Sequence, residues 1–256
     1  MNIYVCIKQV PDTEAILQVK DGNKINEDNI KWIISPYDEY AIEEALKLKE
    51  KVAGSTVTVI ALGPARVESA LRSGLAMGAD QAIQIETADA PDHKTTARAL
   101  AHAIKQDPNF GVVFTGKQAI DDDSCLVPLY LAEYLGVAGV TNVVTFTHEN
   151  GTVIVEREID EGAREKIEMA PRCVIAASKG LNTPRYASLM GIMKSKKIAI
   201  KKLTLADAGI PEIKTKVRIE KLYAPAEKPQ GKIINGEPEV AVQELVRLLK
   251  EEAKVI

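Results

Sequence analysis

Short runs of β-branched and aliphatic residues alternate with amphipathic segments from Ile3 to Leu135, and this alternation most narrows the folds open to the chain. A strand followed by a helix and another strand closes into a mostly parallel sheet with helices across its faces, so the fold class is α/β. Ile3 to Lys8, Thr56 to Leu62, Ala82 to Ile85 and Val112 to Phe114 read as the strands. Ser35-Pro36-Tyr37-Asp38 is a helix start, with a serine cap, proline at the first helical position and an acid three residues after the cap. That helix runs to about Val52. Ile42, Ala45, Leu46 and Leu48 face inward, and Glu43, Glu44, Lys47 and Lys51 occupy the solvent side. Further helices are expected from about Ala65 to Met77 with Gly78 closing, from Asp92 to Lys105, and from Ser124 or Leu126 to Leu135.

The pattern changes after Gly136. Val143 to Thr147 and Thr152 to Ile159 flank the turn residues His148-Glu149-Asn150-Gly151, and with Lys166 to Met169 they form an antiparallel extension. Cys173 to Ala177 returns to the main sheet, and Ser188 to Lys197 holds a short helix. A small hairpin is expected from Ile16 to Lys20 and Lys24 to Asn26. From Ile198 onward the apolar content thins, and Pro211, Pro225, Pro229 and Pro238 mark an arm that ends in an amphipathic helix from Val240 to Val255. The expected division is a nucleotide-binding domain over 1–205 and a C-terminal arm and helix over 206–256.

Lys and Arg total 33 against 36 for Asp and Glu, a net charge of -3, which gives no footprint for nucleic acid. Cys6, Cys125 and Cys173 are too few and too scattered for a disulfide framework or a zinc site. There is no apolar run of the roughly 20 residues needed to span a bilayer, and no leader pattern before Ile3. A soluble cytoplasmic protein is the expectation.

One stretch offers chemistry. Gly116-Lys117-Gln118-Ala119-Ile120-Asp121-Asp122-Asp123 follows a strand and precedes a helix, where backbone N–H groups and a positive dipole end hold phosphate in α/β proteins. The aspartates there read as helix-start caps, with magnesium ligation as the alternative. There is no G-x-x-x-x-G-K-[ST] loop, G-x-G-x-x-G or G-x-S-x-G, and His93, His102 and His148 have no metal spacing. No catalytic residue is nominated.

Taken in order, Gly116 to Asp123, Val155-Glu156-Arg157-Glu158-Ile159-Asp160, and Leu181-Asn182-Thr183-Pro184-Arg185-Tyr186-Ala187-Ser188-Leu189 with Ile192-Met193-Lys194 resemble the β subunits of electron transfer flavoproteins. The resemblance implies an adenine-nucleotide α-hydrolase-like sheet and a heterodimer with an α subunit. One FAD, shared with that subunit, would carry electrons from flavoprotein dehydrogenases to a quinone oxidoreductase or another acceptor. It implies an AMP in this chain, touched by Cys6, by Ser35, Pro36, Tyr37 and Asp38, by Leu62, and by Gly116, Lys117, Gln118, Ala119, Ile120, Asp121, Asp122, Asp123, Ser124, Cys125, Leu126 and Val127. Arg185, Tyr186, Leu189, Ile192, Met193 and Lys194 correspond to the dehydrogenase-docking segment, with Leu189 as its anchor. A bifurcating branch of the family carries a second FAD in place of AMP and tends to have glycine between the aspartates, where this chain has Asp122. An ATP-using hydrolase would need a serine-glycine-glycine loop where Lys8-Gln9-Val10-Pro11-Asp12 stands. A stand-alone nucleotide sensor of the universal-stress type would be a homodimer.

Overall fold

β1 (Asn2–Cys6) alternates Ile3 and Val5 toward one face of a sheet with Tyr4 and Cys6 toward the other, and it is buried on both sides as a central parallel strand must be. The computed structural model describes residues 1–88, 91–213, 217, 219–226 and 230–256. After β1 come β2 (Gln9–Pro11), the two halves of a small hairpin β3 (Val19–Lys20) and β4 (Lys24–Ile25), and β5 (Trp32–Ile34). Then α1 (Pro36–Lys51), β6 (Thr56–Gly63), α2 (Glu68–Met77), β7 (Gln81–Glu86), α3 (His93–Lys105), β8 (Phe110–Gly116) and α4 (Leu126–Leu135) alternate. β9 (Ala138–Glu149), β10 (Thr152–Glu158), β11 (Arg164–Met169) and β12 (Cys173–Ala177) follow, then α5 (Leu189–Ser195), β13 (Ile200–Thr204) and α6 (Pro238–Glu251).

The main sheet runs β11-β10-β9-β12-β8-β1-β6-β7-β13. β1, β6, β7, β8, β12 and β13 are parallel to their neighbours, and the β9-β10 and β10-β11 pairings are antiparallel. β9 serves both regimes: Ala138 to Val140 pair in parallel with β12, and Val143 to Glu149 pair with β10. From β1 the chain moves outward through β6 and β7, then crosses back and lays β8 on the other side of β1. The order reverses there, and a reversal of this kind opens a crevice at the carboxyl ends of the strands. α1 and α2 pack their Ile42, Leu46, Leu71 and Leu75 on one face with Phe114, while α3 and α4 pack Leu100, Ile104 and Leu131 on the other with Val113.

Two expectations are corrected. Ile200 to Thr204 is not the start of an arm but an edge strand on β7, and Ala208 and Ile210 beyond it are buried in the second core. Ile200 and Leu203 are half-buried and Lys201 and Lys202 exposed, as an edge strand allows, so the strand leaves only a faint hydrophobic trace. Glu43 and Glu44 are buried instead of solvent-facing, because the segment after β12 folds over α1 and supplies partners for both.

Contacts divide the chain into two compact units, Met1–Leu17 with Asn26–Glu220, and Gln18–Ile25 with Lys221–Ile256. In the second unit Leu222 N–H donates to Gly22 O, and α6 begins on Pro238, carries Arg247 ion pairs to Glu244 and Glu251 and buries Leu248. Pro229, among the prolines expected to mark the arm, lies outside the described residues. Among the described residues no helix is long and apolar enough to cross a membrane.

Candidate functional site

Cys6 and Thr115 pair in register at the carboxyl ends of β1 and β8, one step before the reversal crevice. Past them the backbone N–H groups of Lys8 and Gly116 have no strand partner to meet, and Asp38 in the first turn of α1 takes both: Oδ2 accepts Lys8 N–H at 2.7 Å and Oδ1 accepts Gly116 N–H at 2.8 Å. The capping box expected at Ser35 therefore does not form. Its acid, itself buried, is drawn to the buried Gly116 N–H at the end of β8 and the partly buried Lys8 N–H just past β1, and a buried donor costs more to leave unpaired than a helix end near solvent. Ser35 holds its place through the backbone, its N–H donating to Lys8 O at 2.9 Å and its O accepting Asp38 N–H at 2.8 Å. Its hydroxyl, like that of Thr115, is buried with no hydrogen-bond partner among the described residues.

Gly116 is required by this closure. A Cβ built on it would stand 2.5 Å from Asp38 Oδ1, 2.7 Å from Tyr37 Cβ and 2.9 Å from the Tyr37 carbonyl carbon. The close approach it permits is thus of α1, and its N–H is spent on Asp38. Burial pushes the Asp38 carboxyl up to about 7, even though the two backbone N–H groups and the Lys8 ammonium pull the other way. Burial and then the nearby Asp38 charge hold the Cys6 thiol well above its ordinary range, so Cys6 lines the site as a small apolar group and not as a nucleophile.

The loop beyond Gly116 is a web of charge pairs. Lys117 N–H donates to Ala177 O of β12, and its ammonium lies 5.1 Å from the Tyr37 ring centroid. Lys8 Nζ reaches Asp121 at 2.8 Å and Asp122 at 3.1 Å, and Asp122 also meets His93 Nε2 at 2.8 Å and Ser124 N–H at 3.1 Å. Burial opposes the charge of Asp122, but the His93 and Lys8 contacts and the Ser124 N–H outweigh it and hold the carboxyl down at about 2. Asp123 accepts Gln118 Nε2 at 2.5 Å, and Cys125 Sγ donates to Gln118 Oε1 at 3.4 Å. The aspartates do not cap α4 as expected. Cys125 precedes the helix in the left-handed region at φ 55, no side chain makes the cap among the described residues, and the acids are taken up instead by Lys8, His93 and the Gln118 amide. The first turn of α4 keeps its dipole end uncapped. Ala119, Ile120 and Val127 are half-buried beside this loop, Leu126 is exposed, and Leu62 is half-buried at the end of β6. Among the described residues no group of His, Cys, Asp and Glu is arranged to hold a metal ion.

A second cluster lies at α5. Tyr186, Leu189, Ile192, Met193 and Lys194 are exposed, and Met190, which was not among the expected docking residues, is as exposed as Leu189. Met190, Met193, Lys194 and Lys197 line a shallow pocket of about 250 Å³. Arg185 is not free: its guanidinium grips both oxygens of Glu43 at 2.8 and 3.0 Å and reaches Glu50 at 2.9 Å. The larger groove, about 570 Å³ beside Glu44, Lys47, Val144 and Phe146, is lined by α1 and β9 and not by the residues of the crevice.

A mostly parallel sheet with helices on both faces and its polar closure at the strand reversal defines a doubly wound α/β protein. Residues 22–208 match the electron transfer flavoprotein domain. The chain is similar to the electron transfer flavoprotein subunit beta of Bacillus subtilis, 41% identical with 100% of each chain covered, and to that of Syntrophomonas wolfei, 38% identical over 100% of this chain and 98% of the other. It is also 36% identical to the mitochondrial subunit beta of Arabidopsis thaliana, with 100% of each covered. The chain belongs to the electron transfer flavoprotein family and aligns with its β subunits throughout.

Proposed function

We propose that this chain is the β subunit of a heterodimeric electron carrier, that it binds a structural AMP at the reversal crevice, and that it works in the cytoplasm. The observation that carries the AMP reading is the first turn of α4, which no side chain caps among the described residues, set beside the half-buried Lys117 at the carboxyl end of β8. Free N–H groups and a positive dipole end suit a phosphate, and the ammonium adds a charge-assisted partner. The phosphate falls to the uncapped first turn of α4 and the Lys117 ammonium, since Gly116 N–H is already held by Asp38. Cys6, Leu62 and Val127 supply apolar walls for the base.

FAD, shared with the α subunit, supplies the reversible one- and two-electron chemistry. This chain's residues supply position: Asp38 fixes the two strand ends, the Lys8, Asp121, Asp122 and His93 pairs fix the loop, and the exposed face of α5 meets flavoprotein dehydrogenases such as acyl-CoA dehydrogenases. Electrons leave to a quinone oxidoreductase or another acceptor, and the arm with α6 contacts the α subunit.

Denaturing the purified heterodimer and identifying the released nucleotides is expected to give AMP and FAD in equal amounts. Two FAD and no AMP would make this a bifurcating subunit. Leu189→Ala is expected to raise KM for a reduced acyl-CoA dehydrogenase about tenfold, as loss of a small apolar anchor worth about 1.4 kcal/mol does, with flavin content unchanged. Stopped-flow reduction of the flavin reads it, and an unaltered KM would remove α5 from the docking surface.

A further inference from the structure

α5 has seven residues, of which Ser195 alone is buried, and it displays Leu189, Met190 and Met193 to solvent. A helix that short does not form by itself in water, and this one has almost no buried face to hold it. Its order comes from polar tethers at both ends. On the entering side Arg185 forks onto the two oxygens of Glu43, its own N–H donates to Glu43 Oε2 at 3.1 Å, and Nη1 meets Glu50. Asn182 Nδ2 adds Tyr40 O and Glu44 Oε2, both at 2.9 Å. Ser188 Oγ accepts Gly191 N–H at 3.0 Å, and Gly191 lies so near the Ala76 carbonyl of α2 that a Cβ would overlap it. On the leaving side Arg72 Nη1 donates to Ser195 O at 2.5 Å and Ile198 O at 2.6 Å, with the Arg72 guanidinium itself braced by Glu68.

We infer that Arg185 and Arg72 are positioning residues for electron-partner docking: they pin α5 to α1 and α2 so that its apolar face meets a dehydrogenase already folded. Arg185 thus acts through Glu43 and does not itself reach the partner. Glu43 has a side-chain exposure of 5% and Arg185 one of 37%, so a partly solvated guanidinium closes over a buried carboxylate, and lysine cannot reproduce the fork that satisfies both of its oxygens. A face ordered in advance loses less conformational freedom on association, which lowers KM without touching the electron-transfer step. The inference rests on the docking reading of α5 given above.

The test uses the complete heterodimer, with an acyl-CoA dehydrogenase reduced by its acyl-CoA substrate as probe. Arg185→Lys is expected to raise KM for the dehydrogenase about tenfold with kcat within twofold. Amide hydrogen exchange across 189–195 is expected to quicken about tenfold, with the flavin spectrum unchanged. Since a lone Glu43 in that setting risks unfolding, the neutral pair Glu43→Gln with Arg185→Gln serves as the second variant and is expected to behave alike. An unchanged KM for Leu189→Ala overturns the docking reading and the role with it. A raised KM for Leu189→Ala alongside parental KM and exchange in both Arg185 variants overturns the clamp alone.

Discussion

Gly116→Ala is expected to lower the unfolding free energy by about 3 kcal/mol, at the upper end of what overpacking costs, and to abolish the AMP binding proposed for the crevice. The added methyl meets Asp38 Oδ1, Tyr37 Cβ and the Tyr37 carbonyl carbon, and the last is backbone in the first turn of α1. A flexible side-chain end would swing aside, but this turn is bound on two sides, by Asp38 to the strand ends and by Ser35 to Lys8 O. Relief requires α1 to lift from β8, which breaks the Asp38 bonds that define the site. The effect is one of space and not of backbone conformation, since Gly116 is absent from the positive-φ positions. Gly231→Ala, where nothing lies within 4 Å of the built Cβ, is the matched control and should remain at parental stability or slightly above. Urea unfolding midpoints of the two variants settle the comparison.

Asp38→Ala is expected to cost about 3 kcal/mol, because the buried Gly116 N–H and the partly buried Lys8 N–H lose their acceptor at once and a fully buried loss costs about 1–3 kcal/mol. Its titration gives a second signature. The folded-state value, about 7, lies above the value near 4 of an unfolded aspartate, so the contribution is present in full below pH ~4 and is lost as pH rises through about 7. Asp122 has the opposite sign: held down at about 2, it stabilises above pH ~4, and that contribution disappears as pH falls toward 2. Stability measured from pH 4 to 8 should therefore decline in the parental chain and decline less in Asp38→Asn, where Glu39 and Glu44, both raised by burial, still contribute. A decline of the same size in that variant would mean that another group carries the titration.

The alternation of strands and helices was legible because each central strand is a dense apolar run and the helices carry local punctuation. Asp92 capping α3 through Thr95 N–H and Gly78 ending α2 at φ 132 are signals that neighbours in sequence complete. The candidate site was legible as a place, the strand end before α4, but not as a mechanism. Ser35 and Asp38 have capping-box spacing, and nothing local reveals that Lys8 and Gly116 compete for the same carboxylate. Glu43 and Glu44 look like solvent residues on a helical wheel because their partners, Arg185 and Asn182, stand far along the chain. β13 was missed for the opposite reason: its lysines keep an edge strand soluble and so mask its period.

The chain contains a single tryptophan, Trp32, in β5 just before Ser35. The Arg66 guanidinium lies 3.5 Å from its ring centroid, and Arg66 also donates to Gln9 Oε1 at 2.6 Å from the other strand of that small pair. Indole emission from this polypeptide consequently has one origin, stacked under a cation just before the first turn of α1. The subunit is born with a local optical gauge, and occupancy of the crevice is open to reading by fluorescence without attaching a dye.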